Sequence, residues 1–442
     1  MKIRSGLREL FFSQEPLTEV DYEKSRWLFI YEGSTAVTIA NLTSGAFLAG
    51  YLQFMGATDR FNGLVGAIPV LVGFIQIFSS VIFEKLPQRK FLISLLCLIF
   101  RLLLGIIFLI PLFVQNPSYR LLALPLLYAT AHSLSSFITP AASTWMIDLT
   151  PASLRGNYFA KKDAVSLGAV TIVTLAMGRI LDFFKVNNNE YGGFLVISLV
   201  VVGLAIVNFI LLCSIKEPQV KQNTSPIHIK DVFTTPLQSP GFRKVILLFI
   251  LWNVGLQIAG PFFSVYMVTG LKLDYTYIMA IGVLASLIRV FATPFWGRLA
   301  DQKSWFFSTK FSIGLLSIVH FLWIFVIPST ARFLIPILQI ASGIAWAGIG
   351  ISLFNIQFLF AKREGRTMYL GLNAAIGGIA GFTSTWIGSR IVGTLEGRAY
   401  QIKWLTLGNM QVVFALSGII LFFCTLFVKI YMEKANYPTE TE

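Results

Sequence analysis

Charge is scarce in this chain. Only 13% of its 442 residues are Asp, Glu, Lys or Arg, about half the share of an ordinary soluble domain. Hydrophobic residues make up 55%, more than a water-soluble core of this length needs. Cysteine is equally rare. Cys97, Cys213 and Cys424 lie in apolar runs, with no nearby partner and no metal-ligand spacing. That excludes a disulfide framework and a thiolate metal site and leaves three small packing residues. No phosphate-binding Gly-Lys-Ser/Thr loop is present, so ATP is not the expected energy source. No nucleophile–base–acid set stands out, so neither an enzyme nor a cofactor is expected. Residues 1–26 are polar, with Lys2, Arg4, Arg8, Glu9, Glu15, Glu19 and Asp21. They lack the apolar core and small-residue end of a cleaved signal, so the first apolar run is expected to target the chain.

What is present is length of apolar run. Twelve stretches of about 20 mostly apolar residues follow one another, each long enough to cross a bilayer as a helix. Lipid offers no partners to exposed amides, so such stretches must be helical. Span 1 reads Trp27–Met55, span 2 Phe61–Phe83, span 3 Phe91–Val114 and span 4 Leu121–Leu149. Span 5 is Ala164–Phe183, span 6 Gly193–Ile215, span 7 Val245–Thr269 and span 8 Tyr277–Trp296. Span 9 is Trp305–Val326, span 10 Phe333–Phe360, span 11 Tyr369–Val392 and span 12 Leu405–Ile430. The expected fold class is an all-α membrane protein, with the lipid bilayer as its first partner.

The net charge of +14 sits in the short connections between spans, which makes it topogenic and argues against nucleic-acid binding. Of the 35 basic residues, with those near span ends counted on the nearer side, 24 fall on the side of the N-terminus and 9 on the other, while Arg101 and Arg289 lie deep within spans. Both termini are therefore expected in the cytoplasm of a multi-pass cell-membrane protein. The polar stretch 216–244, with Pro218, Pro226, Pro236 and Pro240, reads as a cytoplasmic linker. It parts a bundle at 27–215 from one at 245–431, with a segment 1–26 before and a tail 432–442 after. The span 4–5 junction RGNYFAKKDAV and the span 10–11 junction EGRTMYLGLNAAI fall at corresponding places. Two pseudo-symmetric six-helix halves would produce that repeat.

The sharpest motif lies between spans 8 and 9, Gly297-Arg298-Leu299-Ala300-Asp301-Gln302-Lys303. It resembles the loop signature of the major facilitator superfamily, G-x-L-a-D-[RK]-x-G-[RK]-[RK]. Gln302 stands where a base is usual, and Ser304-Trp305 follow Lys303. The first-half counterpart, Glu84-Lys85-Leu86-Pro87-Gln88-Arg89-Lys90, keeps an acid and trailing bases but lacks the Gly. The RGNYF junction and the segment EGSTAVTIANLTSGAFLAGY also resemble uncharacterised bacterial permeases of that superfamily. The resemblance implies a conformational latch. Asp301, beside Gly297 and Arg298, would meet the start of span 5 near Arg155, Lys161 and Lys162. Glu84 would face the start of span 11 near Arg363 and Arg366.

Charges inside spans are costly and point to function. Glu32, Arg101 and Arg289 qualify. Glu32 reads either as an interfacial residue or as a proton-carrying carboxylate. Arg101 reads as a ligand or as a structural ion-pair partner, with Glu32 within its reach. Arg289 shares a helical face with Gly282, Ser286 and Thr293 and suits an anionic substrate group, a gate or a packing role.

The resemblance implies that spans 1, 4, 7 and 10 line a central cavity, and each carries polar positions. These are Asn41 and Gly45; Tyr128, His132, Ser135 and Thr139; Asn253, Gln257 and Ser264 beside Pro261; and Gln339, Gly343, Trp346 and Gly350. Each alone also reads as helix–helix glue. Span 5, SLGAVTIVTLAMGRILD, lacks the Gly-Pro of many antiporters. The expected function is alternating-access secondary transport of a small organic solute by a monomer, driven by protons through Glu32. Efflux of drugs or amphipathic metabolites, and a non-transporting sensor or lipid handler, are the alternatives.

Overall fold

A computed structural model describes residues 11, 16–83, 86, 88–219, 229–361, 366–398, 400–402 and 405–433. Among these described residues, eleven spans are helical and long and apolar enough to cross a membrane. They are span 1 (Glu19–Phe54), span 2 (Asp59–Ser79), span 3 (Lys90–Phe113), span 4 (Pro117–Asp148), span 5 (Arg155–Val186) and span 6 (Glu190–Ser214). In the second half they are span 7 (Pro240–Gly270), span 8 (Tyr275–Gln302), span 9 (Trp305–Phe325), span 10 (Ala331–Phe360) and span 12 (Asn409–Met432). Span 11, Arg366–Thr394, is a helix of 29 residues but falls short in apolarity. Gly377, Gly378, Gly381 and Gly388 alternate there with Asn373, Ser384, Thr385 and Ser389. That composition suits close helix packing in lipid, where small residues let backbones approach.

The helices outrun the sequence expectation at several places. Span 1 begins at Glu19 with a capping box, in which Thr18 and Asp21 exchange bonds with each other's amides. Residues of the expected linker also form a helix, Ile229–Gln238, and Pro240 occupies the first turn of span 7, where its missing N–H costs nothing. Between spans 11 and 12 lies one element that is not helical. Strands β1 (Tyr400–Ile402) and β2 (Leu405–Leu407) pair antiparallel, with Gln401 opposite Thr406.

Spans 1 and 7 both break. Span 1 parts after Leu42, and Gly45, at φ 56°, starts its second segment in a conformation that only glycine adopts cheaply. Span 7 parts after Gln257, and its next segment starts at Gly260-Pro261.

The chain forms two compact units. Unit 1 holds residues 1–57, 72–227 and 274–279, and unit 2 holds 58–71, 228–273 and 280–442. These boundaries differ from a simple division at the linker. The start of span 2 belongs to unit 2, and the start of span 8 belongs to unit 1.

Inside unit 1, Tyr51, Phe108 and Phe194 form an aromatic knot, with Tyr51 4.9 Å from Phe108 and 5.1 Å from Phe194 between ring centroids. Tyr51 Oη donates to Ile107 O at 2.8 Å, and Ser198 Oγ donates to Gly105 O at 2.9 Å. The first turn of span 8 joins this unit through Asp182 of span 5. Its carboxylate accepts from Tyr275 N and Thr276 N, each at 2.8 Å, and from Thr276 Oγ1 at 2.6 Å. An acid there fits the positive end of a helix. At the opposite end of the bundle, Glu217 accepts from Arg89 N at 2.9 Å and Lys90 N at 3.0 Å. Burial pushes the Glu217 carboxyl up.

Unit 2 repeats part of the pattern. Tyr266 Oη donates to Val326 O at 2.7 Å, and Ser317 Oγ donates to Gly418 O at 2.7 Å. Spans 3 and 9 both pass into a 3₁₀ turn, Ile107–Leu109 and Trp323–Phe325. The repeat suggested by the junction sequences thus has a counterpart in matched tyrosine bonds. The unit 2 core is formed by Phe242, Leu248, Trp252, Ile313, Leu316 and Leu421. The start of span 2 enters this unit, where Ser389 Oγ donates to Arg60 O at 2.8 Å.

Candidate functional site

Three helices of unit 1 bring a charged node together. Arg101 of span 3 donates through Nη2 to Glu32 Oε1 of span 1 at 2.9 Å. Its Nη1 donates to Asn208 Oδ1 of span 6. Asn208 Nδ2 in turn faces Thr35 Oγ1 at 2.7 Å, Glu32 O at 3.0 Å and Glu32 Oε1 at 3.2 Å. The side chains of Arg101 and Glu32 are 6% and 13% exposed. The Arg101 guanidinium also lies 5.0 Å from the centroid of the Phe100 ring. Glu32 is therefore partnered inside the bundle, and Arg101 takes the ion-pair partner that its position suggests.

A buried pair persists only if hydrogen bonds satisfy its remaining atoms. Asn208 fills that role, since its carbonyl accepts and its amide donates. No motif or periodic stripe in the sequence marks Asn208. Its signal is visible in hindsight, because Asn208 is the lone amide in the run LVVVGLAIVNFILLC.

The node borders a cavity of about 300 Å³. Span 1 contributes Phe29, Glu32, Ala36, Val37, Ile39 and Ala40; span 3 contributes Cys97, Phe100, Arg101 and Leu104. Span 4 supplies His132, Ser135, Ile138, Thr139 and Ala142, and span 6 supplies Leu212. His132 packs edge-on against Tyr128, centroids 4.4 Å apart. Its buried Nε2 has no hydrogen-bond partner among the described residues. An unpaired buried nitrogen is costly, and it belongs to a residue of the cavity lining. Arg101, Glu32 and His132 all line this space, and Asn208 stands behind the first two.

The remaining candidates lie elsewhere. Asn41 is exposed and donates to Val37 O of its own helix at 2.9 Å. Asn253 and Gln257 of span 7 pack against glycines of span 11. A Cβ on Gly377 would come 2.7 Å from Asn253 Nδ2, and one on Gly381 would come 3.1 Å from Gln257 Cγ. Helix packing thus occupies part of the face expected to line a cavity. Gln339 is half-buried, and Trp346 sits 5.7 Å from Trp252 in a T-shaped contact. Gly343 packs against Ala285 O of span 8, so it too is a packing position. Arg289 is exposed, and its carbonyl accepts from Thr293 Oγ1 at 2.7 Å.

Among the latch residues, Arg155 Nε donates to Thr150 O at 3.1 Å. Arg298 Nε donates to Pro294 O at 3.4 Å, Gly297 has open space about it, and Asp301 is exposed. Glu84, Arg363 and the side chain of Arg366 lie outside the described residues.

Solved structures share the architecture. A bacterial homologue of the human lysosomal transporter Spinster, inward-facing and unoccupied, aligns at TM-score 0.69 and 13% identity, covering 96% of this chain and 100% of that one. A POT family transporter in complex with a thioalcohol-conjugated peptide aligns at TM-score 0.67 and 15% identity, covering 93% and 96%. The xylose transporter XylE from E. coli, in a partially occluded inward-open conformation, aligns at 0.61 and 11%, covering 93% and 98%. At such identities the likeness speaks for the fold. No curated protein matches the chain in sequence. Residues 29–385 match the sequence profile of the Major Facilitator Superfamily. With most of the chain inside that match, and spans that superpose on its solved members, the protein belongs to the Major Facilitator Superfamily.

Proposed function

We propose that the protein is a proton-coupled secondary transporter of a small organic solute, working by alternating access in the cell membrane with both termini in the cytoplasm. The carrying observation is the buried Glu32–Arg101–Asn208 node on the wall of a cavity of about 300 Å³. That volume is at the lower end of small-molecule sites.

The node suggests how a proton and a solute are linked. With Glu32 ionised, Arg101 is satisfied. A proton on Glu32 removes the partner charge and leaves a buried cation that favours an anion. An anionic group on the solute, with His132 of the cavity lining as a second polar contact, would replace the carboxylate. Phe29, Val37, Phe100, Leu104 and Ile138 supply an apolar wall, so the favoured solute is an organic anion with an apolar body. The same wall favours a second reading, outward movement of amphipathic molecules. The 27–215 and 245–431 bundles would be the moving bodies of a monomer. Asp301 and Arg155 would form a latch when the cytoplasmic side closes, with Glu84 and Arg366 as its counterpart.

The test is uptake into proteoliposomes of a ligand first found by thermal stabilisation with organic anions. Ligand stabilisation follows RT ln(1 + [L]/Kd). Glu32→Gln should abolish uptake driven by a proton gradient and preserve solute exchange. Driven uptake at the parent rate in Glu32→Gln would remove the coupling role.

A further inference from the structure

Unit 1 holds a second, smaller cavity that the transport reading does not use. It measures about 150 Å³ and lies between the N-terminal ends of spans 1 and 5. Glu23, Arg26, Trp27 and Ile30 line it from span 1, and Leu154, Asn157, Tyr158 and Lys161 line it from the opening of span 5. We infer that this cavity binds a phosphate group, such as that of an anionic phospholipid headgroup.

Four observations converge. First, span 5 opens without a side-chain cap: Leu154 holds the N-cap position and makes no capping bond. The span follows directly on the 3₁₀ turn Ala152–Leu154, and the positive end of its dipole favours a phosphate. Second, Tyr158 is 6% exposed, and its hydroxyl has no hydrogen-bond partner among the described residues. A buried hydroxyl left alone is unfavourable. Third, two cations flank the space. Arg26 is steadied by one bond from Nη1 to Leu149 O at 3.2 Å, and a guanidinium carries four further donors. Lys161 Nζ lies 5.9 Å from the centroid of the Trp27 ring. Glu23, exposed on the rim, is the one carboxylate in the lining.

Fourth, the setting is that of a membrane interface. Trp27 and Tyr31 are 43% and 50% exposed and stack at 6.3 Å. Aromatic rings beside cations at helix ends mark the headgroup level, and basic pockets between helix ends take anionic headgroups. The volume suits one phosphate rather than a whole solute.

The test uses the full chain purified in detergent. Native mass spectrometry would compare retention of phosphatidylglycerol with phosphatidylcholine. A separate arm would record thermal unfolding with and without inorganic phosphate. The expected result is preferential retention of phosphatidylglycerol, weakened about tenfold or more in Arg26→Gln/Lys161→Gln, as loss of charged hydrogen bonds requires. Tyr158→Phe, which keeps the ring packing, should weaken retention several-fold with an unchanged unfolding midpoint. Protection by phosphate alone, lost in the same variants, would assign the site to a free phosphate. Equal retention of both lipids with no phosphate effect would overturn the inference. So would a phosphatidylglycerol preference that survives both Tyr158→Phe and the double substitution.

Discussion

Arg101 reaches Glu32 across 2.9 Å between spans 3 and 1, with both side chains largely out of solvent. Their positions, 69 residues apart, place two formal charges inside apolar runs where each alone would be expensive. Removing one partner of a buried pair costs about 3–5 kcal/mol because the other charge is stranded. Arg101→Leu and Glu32→Leu should each lower the unfolding midpoint sharply. The double substitution should recover most of the loss, since apolar replacement of both partners is often near neutral. A thermal double-mutant cycle measures this, and simple additivity would contradict it.

Asn208 is the residue that completes the node. Asn208→Leu leaves Arg101, Glu32 and Thr35 each short of a contact. We expect a loss of about 2 kcal/mol or more and, in proteoliposomes, a shift in the pH dependence of uptake. An unchanged pH profile would limit Asn208 to packing.

The matched tyrosines give a test of the repeat. Tyr51→Phe removes one bond to a carbonyl at the end of span 3 and should cost about 1 kcal/mol. Tyr266→Phe removes the matching bond at the end of span 9 and also the one that Gln411 Nε2 donates to Tyr266 Oη at 2.6 Å, so it should cost more, about 2 kcal/mol. The two losses should add, because the sites lie in different units and share no partner.

Asp182 holds three donors of span 8. Loss of such a cap costs about 1 kcal/mol, within a range of 0.5–2. Hydrogen exchange at the amides of Tyr275 and Thr276 should accelerate in Asp182→Ala, with little change in span 9.

Glycine positions separate sharply. A Cβ on Gly388 would lie 2.3 Å from Ile258 O, a backbone atom, whereas one on Gly203 would meet nothing within 4 Å. Gly388→Ala should destabilise by about 1–3 kcal/mol through overpacking. Gly203→Ala should be neutral or stabilising by up to about 1 kcal/mol, from helix propensity. Thermal unfolding distinguishes the two.

The spans are legible in sequence because the bilayer imposes both length and helicity on any apolar run. The Glu32–Arg101 partnership is legible for a related reason, since few charges inside the spans leave few choices of partner. Helical faces are harder to read. The stripe Asn253–Gln257 marks a polar side of span 7, but a stripe does not say whether it meets a cavity or the glycines of a neighbour. Here Gly377 and Gly381 take part of that side. Asn208 escapes notice because an isolated polar residue in an apolar helix has no pattern around it, and Tyr158 because it stands among the charges of the junction RGNYFAKKDAV. Their importance comes from three-dimensional neighbours far away in the chain. The break at Gly45 depends on backbone geometry that the run GAFLAGY does not announce.

The exchange of short segments between the units bears on whether either half of the gene could stand alone. A polypeptide ending in the linker would carry residues 58–71, which pack in unit 2, and would lack 274–279, which pack in unit 1. Made separately, the halves would each expose a surface shaped for a piece of the other. Co-expressed from two reading frames, they would have a structural reason to find one another and reassemble.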